Sequence, residues 1–106
     1  MVFKMNLSEV NWTNSIENSK KCIILDVRTQ NEFEEGHIEK SINLDFYNAQ
    51  IFLDAIMKFD KECPIFVYCR SGSRSFQACE ILKQMGFSKA FNLEGGIEEW
   101  NGNIVY

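Results

Sequence analysis

The chain has 106 residues, of which 45% are hydrophobic and 25% are charged, and its formal net charge is −4. This length accommodates one hydrophobic core, so we expect a single domain over residues 1–106. No apolar run approaches the roughly 20 residues that cross a bilayer, and no basic cluster is long enough to follow a nucleic-acid backbone. We therefore expect neither a membrane nor a nucleic-acid partner. The N-terminus, MVFKMNLSEV, lacks the features of a signal peptide, which predicts an unprocessed cytoplasmic protein.

The first half of the chain predicts two helices and two strands. A weak helix, for which Ser8 is the candidate N-cap, is expected in SEVNWTNSIENS. The apolar run KCIILDV, residues 21–27, shows no alternation, which is typical of a strand covered on both faces. Thr29 and Glu32 have the spacing of a capping box for the next helix, and Gly36 supplies its stop. The segment SINL, residues 41–44, is a shorter strand candidate.

The second half continues the alternation. Helices are expected in YNAQIFLDAIMKFD, residues 47–60, and in SRSFQACEILKQMG, residues 73–86. Strands are expected in PIFVYC, residues 64–69, and in AFNL, residues 90–93, before a short helical segment at residues 94–102. The apolar faces of the two helices are expected to contain Ile51, Ala55, Ile56 and Phe59 in the first and Phe76, Cys79, Leu82 and Met85 in the second.

Strands that alternate with helices predict an α/β fold, in which helices cover both faces of a central, mostly parallel sheet. In such folds ligands bind beyond the carboxyl ends of the strands. Cys69 ends the run PIFVYC, and the polar loop RSGSRS follows it and leads into a helix. This loop therefore lies where the predicted fold class places its chemistry.

The loop CRSGSRS has the composition of an anion-binding cradle. Backbone N–H groups at a helix start have no intrahelical partners, and a curled loop directs them inward. Gly72 permits the positive φ that such a curl needs, and Arg70 and Arg74 are expected to add cationic charge. These features predict a thiolate nucleophile at Cys69 that attacks an anionic substrate, whereas the alternative is a buried, inert cysteine. We assign to the active loop Arg70, Ser71, Gly72, Ser73, Arg74 and Ser75.

The three other cysteines, Cys22, Cys63 and Cys79, are interpreted as inert thiols that fill space in the core. A disulfide framework is typical of short secreted chains with weak cores, whereas the apolar content here is ample. The chain has one histidine and no C-x-x-C pair, so no metal site is predicted.

Three segments resemble the signature segments of the rhodanese family of sulfurtransferases. They are LDVRTQNEFEEGHIEKSINL, residues 25–44, VYCRSGSRSFQACEIL, residues 67–82, and NLEGGIEEW, residues 92–100. The match is in the family's order and spacing and extends roughly from Met5 to Gly102, although Lys40 and Ser41 replace the family's usual Gly-Ala. The resemblance implies a three-layer rhodanese-like fold with Cys69 as the catalytic cysteine.

The resemblance also implies a thiosulfate-type sulfurtransferase that needs no cofactor and no metal. Cys69 would take sulfane sulfur from a small anionic donor such as thiosulfate and hold it as a persulfide. A thiophilic acceptor, cyanide in an assay and a thiol or protein in the cell, would then remove it. Two alternatives stay open: a sulfur-relay module supplied by a protein donor, and a non-catalytic binding module, which the intact loop disfavours.

Loop length argues against the nearest competing activities. Cysteine phosphatases, and the phosphatases and arsenate reductases that share the rhodanese fold, use a C-x5-R loop that ends in arginine. Here the sixth position after Cys69 is Ser75, and the arginine comes one residue early at Arg74. The smaller cradle suits one sulfur atom better than a phosphate, and no aspartate lies in a recognisable general-acid loop.

Other conspicuous residues are interpreted as structural. Asp26 and Arg28 end the first apolar run and are expected to form a supporting ion pair, with Glu32 as a candidate partner for Arg28, although substrate contact is the alternative. His37 is interpreted as structural because an ionised thiol needs no general base. Trp100 is interpreted as a core aromatic residue.

Overall fold

The computed structural model describes residues 4–106, which contain seven strands and four α-helices. The four predicted strands and the four predicted longer helices are all present, and β1, β3 and β7 are additional short strands. No helix within this range is long and apolar enough to span a bilayer. In chain order the elements are β1 (Asn6–Leu7), α1 (Glu9–Glu17), β2 (Ile23–Asp26), α2 (Gln30–Glu34), β3 (His37–Ile38), β4 (Ile42–Asn43), α3 (Ala49–Ile56), β5 (Ile65–Tyr68), α4 (Ser73–Gln84), β6 (Ala90–Leu93), a 3-10 helix (Ile97–Glu99) and β7 (Ile104–Val105).

Five strands form one sheet in the order β1-β6-β5-β2-β4, and every neighbouring pair in it is parallel. The remaining strands, β3 and β7, form a separate antiparallel pair. Strand β5 is central and lies between β2 and β6, so Cys69 emerges between the carboxyl ends of two neighbours. The predicted α/β fold with a central parallel sheet is confirmed.

Side chains of β5 alternate between two cores, as the pleat of a strand requires. Ile65 and Val67 lie in the core that α3 and α4 cover, and Cys69 continues that face. Phe66 and Tyr68 lie in the opposite core, which is centred on Trp12 of α1. Helices therefore cover both faces of the sheet, and the three-layer architecture is confirmed.

Local helix signals in the sequence are confirmed. The Ser8 hydroxyl caps α1 by accepting a hydrogen bond from the N–H of Asn11. Thr29 and Glu32 form the complete capping box of α2. At the turn before β4, Lys40 adopts a left-handed φ of 70°, a conformation that glycine adopts far more readily than lysine.

Helix α3 differs from the prediction in its length and in the face that it buries. It ends at Ile56 rather than at residue 60, and Ile51 is 57% exposed, whereas Phe52 and Ile56 are buried against the sheet. The helix is apolar on several sides, so the spacing of its apolar residues does not determine which face is buried. Packing against the sheet determines it. In α4, Phe76 and Met85 are only half-buried, and the buried residues are Ser75, Ala78, Cys79 and Leu82.

Candidate active site

The thiol of Cys69 is enclosed by the loop that follows β5. The residue is 1% exposed. Its Sγ accepts a hydrogen bond from the backbone N–H of Gly72 at 3.1 Å and another from the hydroxyl of Ser75 at 3.2 Å. Gly72 is the N-cap of α4 and has the predicted positive φ, 110°. The loop thus curls around the sulfur and directs donors at it.

These donors set Cys69 apart from the other three cysteines. Burial raises the pKa of Cys69, but hydrogen bonds from the Ser75 hydroxyl and from the backbone N–H groups of Ser75, Gly72 and Ser71 outweigh it, so the pKa lies below its ordinary value. Burial raises the pKa of each of the other three thiols, that of Cys79 to about 12. All four thiols are free, and only Cys69 has surroundings that favour the thiolate.

The 3-10 helix braces the start of the loop from outside. The N–H of Ile97 donates to the carbonyl of Cys69, and the N–H of Glu98 donates to the carbonyl of Arg70, both at 3.0 Å. A Cβ atom on Gly96 would lie 2.3 Å from the Arg70 carbonyl oxygen. Because both carbonyls are held by these outside donors, the following N–H groups remain available to the sulfur.

A second brace, which the sequence reasoning missed, comes from β6. Asn92 is buried, and its Nδ2 donates to the carbonyl of Gly72 at 3.2 Å. The signal for it was a single polar residue in the otherwise apolar strand AFNL, which is unusual for a strand buried on both faces.

Arg74 does not supply the free positive charge that the sequence predicted. Its guanidinium donates two hydrogen bonds to the carboxylate of Glu32, at 2.8 and 3.0 Å, and lies 5.3 Å from the centre of the Tyr47 ring. The expectation that Glu32 pairs with Arg28 is therefore wrong, because the fold brings α2 against the active loop. The backbone N–H groups and Ser75, more than Arg74, stabilise the thiolate.

Arg70 is the loop's other cation, and it is exposed. Within residues 4–106 it has no ion pair. It lines a surface groove of about 440 Å³ beside the loop, and this groove also contains the carboxylates of Glu35 and Glu98. Ser71 and Ser73 are exposed and line a second groove on the loop's other side.

Asp26 and Arg28 form a buried ion pair at the end of β2, with 2.7 Å between Oδ2 and Nη2. Arg28 also donates to the carbonyl of Gly36 at 2.7 Å and packs over the ring of Tyr68. Asn43 donates to the carbonyls of both Asp26 and Arg28. These contacts tie the carboxyl ends of β2 and β4 to the α2–β3 turn, which supports the structural interpretation of the pair.

Two further residues have local packing contacts. The ring of His37 stacks on Phe33 with centroids 3.7 Å apart, and its Nδ1 lies 2.9 Å from the Phe33 carbonyl. Trp100 is half-buried and packs edge-on against Trp12 at 5.8 Å. Among residues 4–106, no group of three or more histidine, cysteine, aspartate or glutamate side chains is arranged to hold a metal ion.

Known proteins share both this sequence pattern and this fold. A sulfurtransferase of Allochromatium vinosum is 35% identical over 85 residues, which cover 80% of this chain and 77% of that protein. The thiosulfate sulfurtransferase GlpE of Coxiella burnetii is 36% identical over 84 residues, which cover 79% of this chain and 76% of that protein. The crystal structure of a rhodanese-like domain protein from Staphylococcus aureus, 27% identical, superposes with a TM-score of 0.78 over 94% of each chain.

The family assignment rests on a match along almost the whole chain. The family model for the rhodanese-like domain matches residues 9–103, which run from the start of α1 to the residue before β7. This chain belongs to the rhodanese-like domain family of sulfurtransferases.

Proposed function

We propose that this protein transfers sulfane sulfur from thiosulfate, or a related small anionic donor, to a thiophilic acceptor through a persulfide on Cys69. The observation that carries the proposal is the environment of Cys69. A recessed thiol accepts hydrogen bonds from Gly72 and Ser75, and its pKa is lowered despite burial. Sulfurtransferases at 35–36% identity support the same reaction class.

The first half-reaction needs only a thiolate and a sulfane donor. The thiolate of Cys69 attacks the outer sulfur of thiosulfate, a new S–S bond forms, and the bond to the sulfonate sulfur breaks. Sulfite leaves with the bonding electron pair, so the charge is balanced and no proton moves. The resulting persulfide anion can accept the hydrogen bonds from loop N–H groups that the thiolate accepted before.

In the second half-reaction a thiophilic acceptor attacks the terminal sulfur of the persulfide. Cyanide would leave as thiocyanate and restore the Cys69 thiolate. The terminal sulfur lies one S–S bond, about 2 Å, beyond the recessed Sγ. This extension favours delivery to a larger acceptor, which we propose to be a cellular thiol or a protein. The four free thiols suit a reducing compartment such as the cytoplasm.

The test is the intact mass of the reduced protein after incubation with thiosulfate and then after a pulse of cyanide. We expect a gain of one sulfur atom that maps to Cys69 and is lost to cyanide. The Cys69→Ser variant should show no gain, whereas Cys79→Ser, which removes a buried thiol on α4, should behave like the unmodified protein. A sulfur gain in Cys69→Ser would refute the assignment. No gain from thiosulfate, but a gain from a protein persulfide donor, would favour the sulfur-relay alternative.

A further inference from the structure

We infer that Asn92 is a positioning residue that sets the nucleophilicity of Cys69 by holding the backbone of Gly72 in the active loop. The inference rests on the proposed role of Cys69 as the nucleophile. Asn92 lies on β6, outside the loop, and its hydrogen bonds go to Asn6 and Gly72 and not to the sulfur. It acts through Gly72, whose N–H donates a hydrogen bond to Cys69 Sγ at 3.1 Å.

The orientation of the Asn92 amide follows from its neighbours. One hydrogen of the Nδ2 group points to the carbonyl oxygen of Gly72 at 3.2 Å, and the other points to Oδ1 of Asn6 at 3.0 Å. Because the Gly72 carbonyl can only accept, the NH₂ end of the amide must face it. Both donors of the amide are thereby committed, and the side chain has one orientation.

The other end of the amide carries a cost to the stability of the fold. Asn92 is 3% exposed, and its Oδ1 is buried without a hydrogen-bond partner among the described residues. A buried, unpaired carbonyl is destabilising, and an apolar residue would fill this position in an apolar strand without that penalty. The hydrogen bonds that Nδ2 donates to Gly72 and Asn6 therefore account for an asparagine at this position.

Gly72 needs such a support more than other residues of the loop. It caps α4 with no side chain of its own, at a φ of 110° that few residues adopt. Its carbonyl accepts both the first helical hydrogen bond, from the N–H of Phe76 at 3.1 Å, and the bond from Asn92. The two bonds fix the plane of the Gly72–Ser73 peptide. The N–H of Gly72 lies in the preceding peptide plane, which the φ of 110° and ψ of −9° at Gly72 relate to the first, so holding the carbonyl limits the directions in which this N–H can point.

The experiment compares the pH dependence of Cys69 alkylation by iodoacetamide, mapped by peptide mass spectrometry, in the unmodified protein and in Asn92→Leu. Leucine keeps the branch point at Cγ, lacks the donor and also removes the unpaired oxygen. We expect the midpoint for Cys69 to rise by about one pH unit, while the melting temperature stays the same or rises. A purely structural role predicts the reverse: an unchanged midpoint with a lower melting temperature.

Two further variants keep the inference falsifiable. If Asn92→Leu does not fold, Asn92→Ala is measured in the same way. Asn6→Ala removes the neighbouring acceptor but leaves the bond to Gly72, so it should shift the Cys69 midpoint less than either Asn92 variant. An unchanged midpoint in a folded Asn92 variant, or an equal shift in Asn6→Ala, would overturn the inference. Alkylation requires no sulfur transfer, so this result is independent of whether Cys69 carries a persulfide.

Discussion

Arg74 and Glu32 are separated by 42 positions in the chain, yet their side chains form a two-point ion pair with bonds of 2.8 and 3.0 Å. Glu32 simultaneously completes the capping box of α2 with Thr29. One carboxylate thus connects the start of α2 to the active loop. The pair neutralises the charge of Arg74, so this arginine orders the loop more than it attracts a substrate.

Replacing Glu32 by glutamine should destabilise the fold by about 1–2 kcal/mol at neutral pH, because charge-assisted hydrogen bonds to Arg74 are lost from a partly exposed site. Urea unfolding at pH 7 measures this difference. Hydrogen bonds from Arg74 lower the pKa of Glu32 from 4.5 to about 2. Since the folded pKa is depressed, this stabilisation is present above about pH 4.5 and is lost as the pH falls toward 2.

The difference between the unmodified protein and Glu32→Gln should therefore shrink between pH 4.5 and pH 2. The control is Glu34→Gln, which changes an exposed carboxylate on the same helix. A stability difference that is constant across this pH range would show that the Glu32–Arg74 pair does not depend on the ionised carboxylate.

The two loop arginines should respond differently to loss of charge. Arg70→Gln should raise the KM for thiosulfate roughly three- to fivefold, because an exposed cation attracts the anionic donor by a fraction of a kcal/mol, and should leave the melting temperature unchanged. Arg74→Gln should lower the melting temperature, because it leaves Glu32 without its partner. Steady-state kinetics and thermal unfolding of both variants check this. Equal losses with thiosulfate and with an uncharged persulfide donor would contradict the role of Arg70.

Ser75→Ala should raise the pKa of Cys69, because it removes one hydrogen bond to the thiolate and leaves the backbone donors in place. Transfer activity should fall most at low pH, where the thiolate fraction becomes limiting. A pH–rate profile with thiosulfate measures the shift. Ser73→Ala, an exposed change in the same loop, is the matched control, and a similar shift there would mean that the effect is not specific to the bond with Sγ.

Gly96→Ala should disrupt the active loop, because the new Cβ would lie 2.3 Å from the backbone oxygen of Arg70. Gly86→Ala is the control: Gly86 also has a positive φ, 102°, but its Cβ would meet only the flexible side chain of Lys61. Both variants should lose some stability, whereas only Gly96→Ala should lose most of its thiosulfate activity. Full activity in a folded Gly96→Ala protein would contradict the bracing role of the 3-10 helix.

Lys40→Gly should stabilise the protein by about 0.5–1 kcal/mol. Lysine at the left-handed φ of 70° is strained, and the relief exceeds the extra chain entropy that glycine loses on folding. Chemical denaturation compares the two proteins. Lys40→Ala keeps the left-handed backbone strain and serves as the control. An equal increase in stability in that variant would show that loss of the lysine side chain, and not relief of backbone strain, stabilises the protein.

Much of the site is local in the chain and could be predicted from it. The loop from Cys69 to Ser75 is a continuous segment that follows an apolar run, and the glycine at position 72 indicates the positive φ of the loop. The capping box at Thr29 depends only on a three-residue spacing. Such features follow from short-range sterics and hydrogen bonding, which do not depend on the position of the rest of the chain.

The two-residue strands β1, β3 and β7 could not be predicted in the same way, since they are too short to show a period. The buried face of α3 was also undetermined. Ile51, Phe52 and Ile56 are all apolar, and only the position of the sheet decides that Ile51 faces solvent.

The sequence by itself determined the α/β alternation, the thiol at the end of β5 and the helix-capping signals, because each depends on neighbours in the chain. Only the tertiary structure decided that Arg74 pairs with Glu32 and that Asn92 supports Gly72. Those contacts exist because β5 lies between β2 and β6 in the sheet. Strand order is chosen by the burial of whole faces, and no local pattern around Cys69 encodes it.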